Sequence, residues 1–156
     1  MMSYSGKVLS LNLLAAVLFT FDRLTKWLVI KNSFRKSFLF LPLKIEFQKN
    51  TSVWGLEINK YFLYSAVAAI LIILIFLLVK SYQRRNLFLI LVITLILTGA
   101  LSNLIDRLIY GGVIDFINLF SYSTFNIADC LIITGVGLWA IKELIYPYYF
   151  NRLKQF

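Results

Sequence analysis

The sequence predicts an all-α membrane protein, with four transmembrane helices and a small β-like element on the extracytoplasmic surface. Three observations lead there. Of the 156 residues, 60% are hydrophobic and the mean hydropathy is +0.81, whereas soluble domains are about 45–50% apolar. Apolar stretches near the ~20 residues needed to cross a hydrocarbon core recur four times. Finally, the scarce acids are not scattered. The chain has seven Asp and Glu, and three of them, Asp106, Asp115 and Asp129, fall between Gly99 and Asp129. The length suits a single domain over residues 1–156.

The net charge of +9 fits Lys and Arg flanking apolar spans at lipid headgroups. Nucleic-acid binding would need a basic face on a soluble fold, and none is available. The chain has no His and one Cys, which excludes His-based triads, ordinary zinc sites and an internal disulfide. No metal or cofactor is expected. Cys130 sits in an apolar run and reads as a small buried hydrophobe. Catalysis, if present, falls to Asp, Glu, Lys, Ser, Thr or Tyr.

The first span runs over about residues 8–30. A signal peptide would have a shorter apolar region ending at small residues. Here the run ends in FDRLTKWLVI, so the helix is read as retained. Asp22 and Lys26 are four apart and share a helix face. They form either a self-neutralising pair near the interface or a support for a polar site inside the bundle. Residues 31–61 form the first extracytoplasmic loop. Within it KIEFQKN, Lys44 to Asn50, alternates polar and apolar and predicts a short surface strand. Trp54 fits an interfacial anchor.

The second span, about 62–79, has no charge and predicts a lipid-facing helix. Lys80, Arg84 and Arg85 close it with a basic turn. The third span, about 86–110, holds Asn103 and Arg107 one turn apart near its end. Gly111 and Gly112 then stop the helix. Residues 111–126 form a second loop, and a fourth span covers about 127–146. Four spans put both termini on one side, and Lys7, the Lys80–Arg85 turn and the Arg152–Lys154 tail make that side cytoplasmic. The 31–60 loop is itself basic, with six Lys or Arg against two Glu.

The stretch GALSNLIDRLIYGGVIDFINLFSYSTFNIAD, Gly99 to Asp129, organises the rest. An ionisable side chain at bilayer depth is costly, roughly 2.5 kcal/mol or more at a helix centre, and marks a site or a partner. Asp129 has a structural reading: Asn126 caps the fourth helix and Asp129 bonds back at its third position. Asp115 alone could be a solvated loop residue. Together at one membrane face, beside Asn103 and Arg107, they have a second reading. Two close carboxylates share a proton, because one raises the pKa of the other. The ionised member can activate water while the protonated member polarises a carbonyl. A small transporter using intramembrane Asp, Arg and Lys is the rival from another class. It would usually show paired repeats and broken helices, and the sequence shows neither.

At these residues the chain resembles the lipoprotein signal peptidases, or signal peptidases II. GALSNLIDRLIYGGVIDFI resembles the block around the family's third helix, FNIAD its second catalytic block, and FDRLTK its first-helix motif. Asn50 matches the start of the family's Asn-containing loop. The resemblance runs from about residue 12 to 146. It implies an inner-membrane aspartic endopeptidase, a globomycin target, in which Asp115 and Asp129 form the catalytic dyad. Asn103, Arg107 and Asn126 would shape the site, with Asp22, Lys26 and Asn50 in support. It also implies a substrate, a prolipoprotein cleaved just before a Cys that already carries diacylglycerol. The partners would be that substrate and membrane lipid, not nucleic acid, with the enzyme a monomer. Two places depart from the family pattern. The run Asn50-Thr51-Ser52-Val53-Trp54-Gly55 lacks a Gly and is one residue short, and Thr98 stands where the first Gly of a Gly-Gly-Ala run is usual.

Overall fold

The computed structural model describes residues 3–32, 35–37, 43–51, 59–119 and 123–145. Trp54, Gly55, the end of the fourth span at Tyr146 and the Arg152–Lys154 tail lie outside the described residues. Four helices carry the fold: α1 Tyr4–Asn32, α2 Lys60–Gln83, α3 Leu87–Tyr110 and α4 Ile127–Ala140. The last continues into a π-helical turn, Ile141–Ile145. Four antiparallel strands, β1 Arg35–Ser37, β2 Leu43–Asn50, β3 Val113–Leu119 and β4 Ser123–Phe125, form one sheet in sequence order.

The helix ends follow from local side chains. Asn59 accepts from the N–H of Tyr61 at the start of α2. Asn86 accepts from the N–H of Leu89 at the start of α3. Each satisfies an amide that has no partner within the helix. Gly111 ends α3 at φ 72°, the left-handed conformation that glycine adopts without a Cβ penalty.

α3 is the central helix and packs against α1, α2 and α4. Its contact with α4 is close because glycine faces backbone. A Cβ on Gly99 would lie 2.3 Å from the carbonyl oxygen of Ala128, and one on Gly135 would lie 3.0 Å from that of Val92. Small residues at such crossings let membrane helices approach through their backbones. The buried apolar core is small and centred on Ile90, Val92, Ile93, Val113, Ile114 and Ala128. Outside it, large apolar side chains point away from the protein along α1, α2 and α4.

α2 and α3 are long and apolar enough to cross a membrane, with mean hydropathies of 3.0 and 2.4. α1 has the length, with 29 residues, but carries Asp22, Arg23 and Lys26. α4 has 14 residues before its π-helical turn.

Two expectations are corrected. The fold is mostly helical with a small antiparallel sheet, and that sheet reaches further than expected: residues 111–126, expected as loop, contain β3 and β4. The strand signal was hidden because Val113, Ile114, Asp115 and Phe116 are buried in succession, so the run lacks the alternation of a half-exposed strand. Cys130 is exposed, not buried. An apolar segment at a membrane can bury its side chains in lipid instead of in protein. The strand expected at Lys44 to Asn50 is present as β2, one residue longer.

Candidate active site

The candidate site forms where the end of α3, the start of α4 and the edge of the sheet converge below β3. Asp115 lies on β3, opposite Gln48 of β2, and is 3% exposed. Asn126 joins the two predicted acids. Its side-chain amide donates to Asp115 Oδ1 at 2.7 Å, and its side-chain oxygen accepts from the N–H of Asp129 at 2.9 Å. The Asn126 N–H returns to Asp129 Oδ2 at 3.2 Å, completing a capping box. The helix cap and the junction between the carboxyls are thus one residue.

Further donors fix each acid. Asn50, at the end of β2, donates to Asp115 Oδ2 at 3.3 Å. Asn103 donates to Asp129 Oδ1 at 2.7 Å. Asn103 in turn accepts from the Lys26 ammonium at 3.0 Å, which ties the candidate pair to α1.

Behind Asn103 lies a buried polar cluster. Lys26, fully buried, sits 2.9 Å from Asp22 and 2.8 Å from Asp106. Ser102 donates to Asp22 Oδ2 at 2.5 Å, and the Ala128 N–H donates to Asp22 Oδ1 at 2.9 Å. Arg23 pairs with Asp106 and also donates to Ser102. Asp106 accepts from the N–H of Ile114 at 3.3 Å, one residue before Asp115. Two acids and two bases are therefore enclosed with balanced charge and shared hydrogen bonds. Removing one partner of such a buried group is strongly destabilising.

Burial, and after it the negative charge of Asp129, raise the Asp115 carboxyl to about 6, against the opposing effect of hydrogen bonds from Asn126 and Asn50 and of the Lys26 charge. The residue can therefore hold a proton well above the ordinary Asp range. Arg107 stands apart from this tight set. Its guanidinium donates to the Asn103 carbonyl in its own helix at 3.4 Å. Its carbonyl accepts from the Tyr64 hydroxyl at 3.1 Å, and the residue lines a small cleft with Thr51, Tyr64, Gly111 and Gly112. The guanidinium is only partly buried and remains available to something entering that cleft.

All eight residues singled out in the sequence lie in this region. Asp115, Asp129, Asn126, Asn103 and Asn50 are linked directly, Asp22 and Lys26 stand one layer behind, and Arg107 borders the cleft. Arg23 and Ser102 were missed, and Asp106, noted only as one of the three acids of the stretch, was given no place in the site. The signal was present: Ser102 and Asp106 repeat the i, i+4 spacing one position before Asn103 and Arg107. α3 thus carries two adjacent polar rows, one facing α1 and one facing the acids. Among the described residues, no cluster of His, Cys, Asp and Glu has the makeup of a metal site.

Comparison with known proteins places the chain in a family. Residues 14–145 match the family model described as signal peptidase (SPase) II. The lipoprotein signal peptidase of Shouchella clausii (strain KSM-K16) is 32% identical over 138 residues, covering 85% of this chain and 91% of the relative. That of Staphylococcus aureus (strain JH9) is 37% identical over 142 residues, covering 85% and 86%. A bacterial membrane enzyme solved by the in meso method at 2.3 Å superposes with a TM-score of 0.73 at 30% identity, covering 86% of this chain and 87% of that one. A second such structure, at 1.9 Å, gives a TM-score of 0.71 at 30% identity, with 86% and 92% covered. The transporter reading is set aside: the chain belongs to the signal peptidase II family.

Proposed function

We propose that the chain is a membrane aspartic endopeptidase that removes signal peptides from diacylglyceryl-modified prolipoproteins, cutting just before the lipidated Cys. The observation that carries the aspartic reading is the Asn126 bridge: its side-chain amide donates to the Asp115 carboxyl at 2.7 Å and its backbone N–H donates to the Asp129 carboxyl at 3.2 Å. The substrate follows from the family and from the names of the two relatives.

In this reading Asp115 carries the shared proton and Asp129 is the carboxylate. Asp129 takes a proton from a water molecule, and that water attacks the scissile carbonyl carbon. Asp115 donates its proton toward the carbonyl oxygen, so charge does not accumulate there as the tetrahedral intermediate forms. The proton gained by Asp129 then passes to the leaving amine as the C–N bond breaks, and Asp115 takes back a proton from a hydroxyl of the intermediate as its C=O re-forms, which restores the starting pair. Asn103, Asn126 and Asn50 hold the two acids with N–H donors and take no part in proton transfer. Arg107 offers a fork of donors to substrate carbonyls at the cleft. Its position is also favourable with the helix dipole at the end of α3.

The four helices cross the bilayer as one domain, with both termini cytoplasmic and the sheet on the outer face. That arrangement brings a substrate anchored by its own signal helix and acyl chains to the level of Asp115 and Asp129. Conservative substitution tests the reading. Asp115→Asn and Asp129→Asn should each lose cleavage while the protein still inserts, since Asn keeps size and polarity but cannot cycle between acid and base. Near-normal turnover in either variant removes that residue from catalysis.

A further inference from the structure

Arg23 is absorbed neither by the dyad nor by the helix packing, yet it is directed at a fully buried acid, Asp106. Asp106 is fully buried and is held from three sides: by Arg23, by Lys26 at 2.8 Å and by the N–H of Ile114 at 3.3 Å. The third of these belongs to β3, immediately before Asp115. Arg23 also reaches the carbonyl and hydroxyl of Ser102, whose hydroxyl donates to Asp22. One half-buried guanidinium therefore completes a set of four alternating charges: Asp22, Lys26, Asp106 and Arg23.

We infer that Arg23 and Asp106 are positioning residues for the reaction: ion-paired to each other, they anchor β3 at Ile114 and balance the charge behind Asp115. The inference rests on the dyad reading above and extends it to two residues that do not touch the acids. Its consequence is electrostatic. The other groups around Asp115 are Asn50 and Gln48 from β2, Arg107 from α3, Lys26 from α1, and Asp129 with Asn126 from α4. With Arg23 and Asp106 both in place the four-residue set is neutral, and Asp115 answers mainly to its own burial and to Asp129. Loss of Arg23 leaves one negative charge, which disfavours ionised Asp115 and keeps its proton to higher pH. Loss of the Asp106 charge leaves one positive charge and does the reverse. Removal of both restores neutrality.

The test is the descending limb of kcat/KM against pH for cleavage of a diacylglyceryl prolipoprotein by the full chain in detergent. Arg23→Gln should move the limb up by roughly half a pH unit or more, and Asp106→Asn should move it down by a similar amount. Asp106→Asn should also lower kcat while leaving KM within a few-fold, because one neutral amide oxygen must replace two carboxylate oxygens toward Ile114, Lys26 and Arg23, so β3 is held less firmly while the lining of the substrate cleft is unchanged. The double variant should return the limb to the wild-type position, and Arg23→Lys should never leave it. If Asp106→Asn does not accumulate, the Arg23→Gln and Arg23→Lys pair still decides. A limb unmoved in Arg23→Gln, with activity reduced equally at every pH, means a purely structural ion pair and overturns the inference. That outcome leaves the dyad reading intact. A wild-type profile with no descending limb overturns both.

Discussion

The two acids of the candidate site differ in what surrounds them, and the proposed mechanism gives them different roles. Asp115 is enclosed in β3 with a carboxyl raised to about 6 by burial and by Asp129. If the protonated form is the working one, activity is retained below that value and lost as pH rises through it. The descending limb of kcat/KM for the free enzyme is therefore expected near 6, and substrate that excludes more water should push the limb of kcat higher. A limb near pH 4 would show that Asp115 does not carry the working proton. Asp115→Asn and Asp129→Asn should each lower kcat by about 10²-fold or more, the usual worth of a positioned acid or base. Arg107 is a different kind of residue. It makes no ion pair among the described residues, so Arg107→Lys should fold normally, yet cleave poorly because Lys keeps the charge and loses the fork. Equal kcat/KM in Arg107→Lys and wild type would reduce Arg107 to a charge at a helix end.

At the scale of elements, the site depends on how closely α4 approaches α3. Gly99 sits against the Ala128 carbonyl, and Ala128 lies between the bridge residue Asn126 and Asp129. Gly99→Val places methyl groups where backbone already is, and overpacking of this kind costs about 1–3 kcal/mol. The same shift displaces the first turn of α4, so activity should fall further than stability does. Gly137→Ala is the control, since a Cβ there meets nothing within 4 Å. Thermal unfolding in detergent and cleavage rates of the two variants check this, and equal behaviour would mean that α4 does not need the close crossing. These elements also mark how far the sequence could be read. The spacing of Asp22 and Lys26, the Asn126 cap and the Gly111 stop were legible because each is a local pattern with one geometric consequence. β3 was not, because a strand covered on both faces has no alternation. Asp106 was visible as an acid, but its 100° offset from Arg107 points it at α1. Which neighbour lies in that direction is a tertiary fact that no spacing along one helix contains. Cys130 was misread for a related reason: hydropathy cannot tell a protein interior from lipid.

At the scale of the whole molecule, a small polar cluster is carried by helices whose outer surfaces are apolar. Two of those helices meet the requirement for crossing a membrane, and the account extends this to all four, with both ends of the chain in the cytoplasm. A reporter fused after Phe156 should be active only when it works in the cytoplasm; activity confined to the outside would overturn the topology. The buried Asp22, Lys26 and Asp106 suit such a setting because they satisfy one another. The acyl chains of the substrate should then supply binding energy that positions the scissile bond. Unlipidated prolipoprotein should be cleaved about 10²-fold more slowly or worse, and equal rates on matched substrates would refute the lipid requirement.

The central claim is that Asp115 and Asp129 together cut a lipidated prolipoprotein before its modified Cys. The most direct measurement is mass spectrometry of the products when purified protein, in wild-type, Asp115→Asn and Asp129→Asn forms, meets a diacylglyceryl-modified prolipoprotein in detergent. The account predicts that the wild type releases a signal peptide ending at the residue before the lipidated Cys, and that neither variant releases it. Release of the same peptide at a near-normal rate by either variant, or no cleavage at that bond by the wild type, would contradict it.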